Sequence, residues 1–250
     1  MSGRRGFDCG DTMTRTFPAK KVEHLRKQAG KAAELPEGVP SGWSKSLVDP
    51  MALLAVFEPL RLKDGYTLRA YQFREGGNGN GFVWALPVDA DFPDPEDCPR
   101  LANIFLEPPK PPAALDDFME AIDGDGTPWS YICASILARE MAEFGAMWHG
   151  CDWDTHTILG VDPLKNAGAD ASDDSRVMGS EADWQWDGTR PKRWNPRVSQ
   201  GSETVKVKFF THSGLGQEAV YRHTDTYKLG TYRFKSERKQ IATGPGGYVF

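Results

Sequence analysis

The chain has 250 residues, of which 39 % are hydrophobic, 26 % charged and 11 % aromatic, enough apolar material to offset the entropy of ordering a core and to exclude global disorder. Its net charge of −5 is unevenly spread: Lys and Arg against Asp and Glu number 13 and 9 over residues 1–85, 5 and 22 over 86–188, and 12 and 4 over 189–250. No apolar run approaches the roughly 20 residues of a membrane span. No signal-peptide core follows Arg4 and Arg5, and Cys9, Cys98, Cys133 and Cys151 form no CxxC pair, so a reducing, cytoplasmic setting without a membrane partner is expected.

In chain order, residues 1–17 are Gly, Arg and Asp rich and are expected as a disordered tail, with Met13 an alternative start of translation. Residues 18–250 are expected to form one α+β domain, with a possible subdivision near residue 110. Pro18 to Ala33 has helical spacing, with Val22, Leu25 and Ala29 on one side, and a Pro- and Gly-rich connector follows from Leu35 to Trp43. Residues 51–88 read as strands, through the alternation from Tyr66 to Phe73 and the aromatic run Phe82 to Leu86. The glycine-rich stretch from Gly76 to Gly81 lies between two strands, so it predicts a hairpin turn; a phosphate-binding loop needs a helix after it.

Residues 87–113 carry many prolines and predict a linker or a rigid extended surface segment. A central helical pair is expected next. Its first member runs from Ala114 to Ile122, and its second is a long amphipathic helix from Thr127 to Trp148 whose polar face carries Ser135, Arg139 and Glu143, the last two spaced to pair. Residues 165–181 predict a polar loop. Trp184 and Trp186 alternate as in a strand, and burial between the acidic middle and the basic end is their expected role. From Val205 onward the alternation and the Gly-containing turns predict an antiparallel C-terminal β-meander, completing a central helical pair packed against antiparallel β-sheet.

Three constellations bear on chemistry. The segment from His149 to His156 holds His149 and Cys151, a candidate base and nucleophile, and Asp152, Asp154 and His156, which alternation along an extended loop would place on one side as candidate ligands of a divalent metal. The bland alternative is capping of the long helix by His149 and ordinary loop hydrogen bonding. His212 and His223 lie on neighbouring predicted strands, where a face displaying His, Tyr and Arg suits an anion. Finally, Arg222, His223, Lys228, Arg233, Lys235 and Arg238 interleave with aromatics in the basic last segment and are candidates for anion or nucleic-acid binding. Such blocks equally suit a basic segment neutralised by the acidic middle one, which is the favoured expectation.

Each catalytic constellation is weaker than its structural alternative. The sequence therefore predicts a non-enzymatic binding or interaction protein, taking a protein partner or a small anionic ligand. The alternatives are a metal-dependent hydrolase-like enzyme using residues 149–156, and a nucleic-acid binder acting through the basic C-terminal sheet.

Overall fold

The computed structural model describes residues 13–249 apart from 37, 103, 105 and 166–177. The expected tail is shorter than 1–17, because β1 (Met13–Thr16) pairs in antiparallel register with a strand near residue 198; residues 1–12 lie outside the described residues. α1 (Ala19–Ala32) buries Val22, Leu25 and Ala29 as its spacing predicts. β2 (Gly42–Lys45) follows. Next comes α2 (Pro50–Ala55), where a strand was expected. The apolar run from Met51 to Ala55 suits either element by composition. The local start signal decides, since the Asp49 carboxylate accepts the Met51 amide at 2.9 Å and Pro50 occupies the first helical position.

β3 (Leu60–Leu62) precedes the hairpin of β4 (Tyr66–Glu75) and β5 (Asn78–Pro87). Glu75 faces Asn78 across the two-residue turn Gly76-Gly77, with Gly76 at φ 56°, the positive φ that a tight hairpin turn demands. β2 adds to the other edge of β4, giving a three-stranded sheet. The proline-rich segment covers one face of it: Tyr71, Trp84, Leu86 and Cys98 form a buried cluster there, with Phe92 stacked on Tyr71 at 4.4 Å.

The expected helical pair reduces to one α-helix. Between 114 and 122 there is a single 3₁₀ turn, Phe118–Ala121, whose start is capped by Asp117, and the chain then enters β6 (Ile122–Gly124), which pairs with β3. Pairing with a distant strand overrides local helical spacing here. α3 (Pro128–Ala142) starts where expected, with Thr127 Oγ1 accepting the Ser130 amide, but it ends before Gly145, whose φ of 69° takes the chain out of the helix. Residues 130–137 are all buried, so α3 is enclosed nearly all round rather than amphipathic. Its serines are satisfied by tyrosines: Ser130 Oγ lies 2.6 Å from the Tyr232 hydroxyl and Ser135 Oγ 2.6 Å from that of Tyr227.

β7 (Thr157–Ile158), β8 (Gln185–Trp186), β9 (Arg197–Gln200), β10 (Thr204–Ser213), β11 (Ala219–Lys228) and β12 (Phe234–Thr243) complete the chain. They join β1 in a sheet of order β1-β9-β10-β11-β12-β8, with β7 beside the far end of β10. β10, β11 and β12 pair successively and antiparallel, as the alternation predicts. The architecture is α+β with strand predominating. The principal buried cluster draws on α1, α2, β4, β5, α3, β9, β10 and β11, and so on both sides of residue 110. Among the described residues no helix is long and apolar enough to cross a membrane, and Cys98, Cys133 and Cys151 are unpaired thiols.

The pairing of β9 to β12 sorts their side chains onto two faces. Val198, Val207, Phe209, His223, Asp225 and Tyr227 look inward to α3. Arg197, Lys208, Phe210, Arg222 and Lys239 look outward. Trp184 and Trp194 cover one end of the outer face in a second cluster with Phe210, Val220 and Ile241, the burial expected of Trp184.

Candidate functional site

The segment 149–156 is organised from within. Glu143, at the end of α3, turns its carboxylate onto the following loop: Oε1 accepts the amides of Asp152, at 2.7 Å, and Trp153, and Oε2 accepts that of Asp154 at 2.8 Å. Three successive amides form an anion nest, and the chain fills it with its own side chain. Burial raises the Glu143 pKa against the opposing effect of those amides. The expected Arg139–Glu143 pair does not form. Arg139 instead makes a two-pronged bond to Asp225 on β11, at 2.8 and 2.9 Å, where Asp225 is fully buried.

With the loop held this way, its candidate residues separate. His149 is exposed and its Nδ1 lies 3.0 Å from Asn78 Oδ1, away from the end of α3 it was expected to cap. Cys151 is half-buried with no imidazole turned to it, and burial, aided by the charges of Glu143 and Asp154, pushes its thiol up to about 11; a nucleophile needs the opposite shift. Asp154 is exposed. Asp152 and His156 do come together, with Asp152 Oδ1 3.5 Å from His156 Nε2. No group of three or more His, Cys, Asp or Glu side chains among the described residues is arranged to hold a metal ion.

His156 is 3 % exposed and opens a buried relay. Its Nδ1 accepts the Thr211 hydroxyl at 2.7 Å, and Thr211 Oγ1 accepts His223 Nε2–H at 2.9 Å, an assignment that leaves the His156 Nε2 proton facing Asp152. Arg238 closes the chain on Asp152 at 2.5 Å. His223 is 2 % exposed, stacked on Phe209 at 4.7 Å. Burial, reinforced by Arg139, pushes its pKa down to about 2, and burial lowers that of His156. Asp152 is held below the usual carboxylate range by His156 and Arg238. Both imidazoles are therefore neutral and sealed.

The basic residues expected to act together divide between surfaces. His212 faces outward, bonded to Glu218 at 2.8 Å, and His223 inward. Arg233 reaches back to Asp117 and Glu120, Arg238 to Asp152, and Lys239 to Asp187, so part of the basic sheet is neutralised by the acidic middle segment. Lys228 and Lys235 are exposed and carry no ion pair among the described residues.

A different cationic group gathers on the outer face. A cavity of about 550 Å³ is lined by Arg197 of β9, Lys208 of β10, Arg222 of β11 and Lys239 of β12, with Lys192 and Arg193 from the segment between β8 and β9. Phe210 and Ile241 form its apolar floor. Lys239 is paired with Asp187 and Arg222 with the exposed Glu237 at 3.3 Å. Lys192, Arg193, Arg197 and Lys208 make no ion pair among the described residues, although Asp187 also lines the cavity and the charge of Glu237 acts weakly on Lys208. Burial, then Arg197 and Arg222, lowers the Lys208 pKa, and burial with Arg193 lowers that of Arg197. Arg222 Nε is buried without a hydrogen-bond partner among the described residues. Of this group only Arg222 was legible as a candidate. The signal for the rest was parity: Arg197 and Lys208 are paired Cα partners, as are Arg222 and Lys239, which becomes visible only once register is known.

On the smaller sheet, Gln72 is fully buried with both amide atoms unpartnered, and Arg74 beside it has Nη1 unpartnered. Burial lowers the Arg74 pKa. Gly79 and Gly81 face these residues from β5, and a Cβ on Gly81 would collide with the Phe144 carbonyl, so backbone packs closely against this polar pair. Comparison of the chain with protein-family models, with curated proteins and with solved structures finds no match.

Proposed function

We propose that the protein is a non-enzymatic binding protein whose ligand is a small anion held on the outer face of the larger sheet. The observation that carries this reading is the set Lys192, Arg193, Arg197 and Lys208, gathered around one cavity with none of the four in an ion pair among the described residues, the cavity's own carboxylate, Asp187, being paired with Lys239. Like charges held together cost free energy, and elsewhere in this molecule Arg139, Arg233 and Arg238 are each supplied with an acid across a long sequence separation. An uncompensated group beside a concavity is what an external anion would complete. The titratable residues of the inner face support a structural role by contrast, since a catalytic imidazole must reach the proton it moves and His156 and His223 are sealed.

The test is thermal unfolding in increasing phosphate at constant ionic strength. The wild type is expected to rise in Tm with ligand concentration, and the double variant Arg197→Ala/Lys208→Ala, checked for a native circular dichroism spectrum, to show no such rise. An equal rise in both proteins would remove this face from consideration.

A further inference from the structure

We infer that the ligand of the outer cavity carries two or more phosphate groups within one compact molecule, an inorganic polyphosphate or the phosphate chain of a nucleoside di- or triphosphate. This rests on the reading of the outer face as an anion site. Charge matching supports it first. One phosphate group carries about −1.5 to −2 at neutral pH, so it would balance about two of the four unpaired cations Lys192, Arg193, Arg197 and Lys208. Two or three linked phosphates would balance all four.

The placement of the cations points the same way. Arg197 and Lys208 are paired partners on β9 and β10, and Arg222 on β11, opposite Phe210, lies diagonal to Lys208, so one wall presents cations from three successive strands. Such strands lie about 4.8 Å apart, so the cations are spread over a width on which a chain of linked phosphates can contact more of them than one tetrahedral anion can. Lys192 and Arg193 approach from the segment ahead of β9 and also line an adjoining cavity of about 690 Å³. In that second cavity Arg190 is held by Asp162 and Glu181.

The aromatic residues argue against a nucleic-acid strand. Phe210 and Trp194 are 3 % and 6 % exposed, and Trp186 is half-buried with the Arg190 guanidinium 4.9 Å over its ring. Base stacking, the main sequence-tolerant term in single-strand binding, has no open ring here. Lys206 and Lys235 stand farther along the same face, outside the cavity, and are the residues that a longer polyanion would need.

Titration calorimetry at fixed ionic strength with inorganic phosphate, pyrophosphate, tripolyphosphate and a short oligothymidylate tests the inference. Tripolyphosphate is expected to bind one to one, about tenfold or more tighter than phosphate. That binding should be lost in Arg197→Ala/Lys208→Ala and kept in Lys206→Ala/Lys235→Ala. Equal affinities for phosphate and tripolyphosphate would overturn the multi-phosphate inference while leaving the anion site standing. Tighter binding of the oligothymidylate, lost in Lys206→Ala/Lys235→Ala, would overturn it in favour of a strand. Absence of binding by every probe would overturn both readings.

Discussion

The two faces of the larger sheet are made from the same strands, and alternate residues of those strands meet opposite electrostatic environments. On the inner face the buried charge has a built partner, Asp225 with Arg139, and at its solvent-exposed rim Asp152 has Arg238 and His156. On the outer face four cations make no ion pair among the described residues, the nearby Asp187 and Glu237 being taken by Lys239 and Arg222. Both faces are lined by charged residues from β9 to β12, so charge alone does not mark a site. The mark is whether the fold has supplied the counter-charge. An inner charge left unpaired would be stranded in a low-dielectric core, whereas the outer cations retain water and tolerate waiting for a ligand.

The sharpest way to break this contrast is to remove a partner inside. Arg139→Ala leaves Asp225 buried without a cation and is expected to destabilise by about 3–5 kcal/mol in urea unfolding; a cost below about 1 kcal/mol would show that the inner pair is no better built than a surface one. Ile136, buried in the middle of α3, tests packing without charge, and Ile136→Ala should cost about 2–5 kcal/mol.

Glu143→Ala comes next, at about 1–3 kcal/mol, because three loop amides lose their acceptor. As a polar-face residue Glu143 would have been expected to matter little. Glu143→Gln, which keeps an acceptor oxygen, should recover part of the loss, and the amides of 152–154 should exchange hydrogen faster in the alanine variant.

Acid offers a further probe of the inner face. His156 and His223 have pKa values lowered by burial, that of His223 to about 2. The unfolded chain therefore binds protons that the native state refuses below the ordinary histidine value of about 6.5. Their stabilising contribution is complete above that pH and falls as pH drops through the window toward the folded pKa. Between pH 7 and 5 the wild type should lose about 1–2 kcal/mol more than His223→Phe, which keeps the stack on Phe209. Parallel profiles for the two proteins would show that His223 does not titrate between the states.

Smallest is the expected effect on the outer face. Arg197→Ala/Lys208→Ala should change stability by no more than about 0.5 kcal/mol, or raise it slightly by relieving repulsion. A loss as large as that of Arg139→Ala would show these cations to be structural and erase the distinction between the faces.

Elements whose evidence is local were legible in the sequence. The start of α3 follows from Thr127 and Pro128, the β4–β5 turn from its glycines, and β10 to β12 from alternation. The segment 114–122 was not, since its apolar spacing permits a helix and only pairing of β6 with β3 selects a strand. Likewise α2 hid in a run readable as strand. The candidate loop was legible as a concentration of reactive residue types, but their divergence follows from Glu143, which lies outside the loop and draws its backbone inward.

Composition, charge blocks and hydrophobic period thus determined by themselves an α+β chain with an acidic middle and a basic C-terminal sheet, because those quantities depend only on residue identity and neighbours within a few positions. Tertiary structure decided which cations the acids reach. A residue's face depends on strand parity, and its partner on a register set by contacts from 60 to more than 100 residues away, as Arg139 with Asp225 and Arg233 with Asp117 illustrate. Arg222 and Arg238 were equivalent in the sequence; β12 and β11 pair so that one faces the outer cavity and the other binds Asp152.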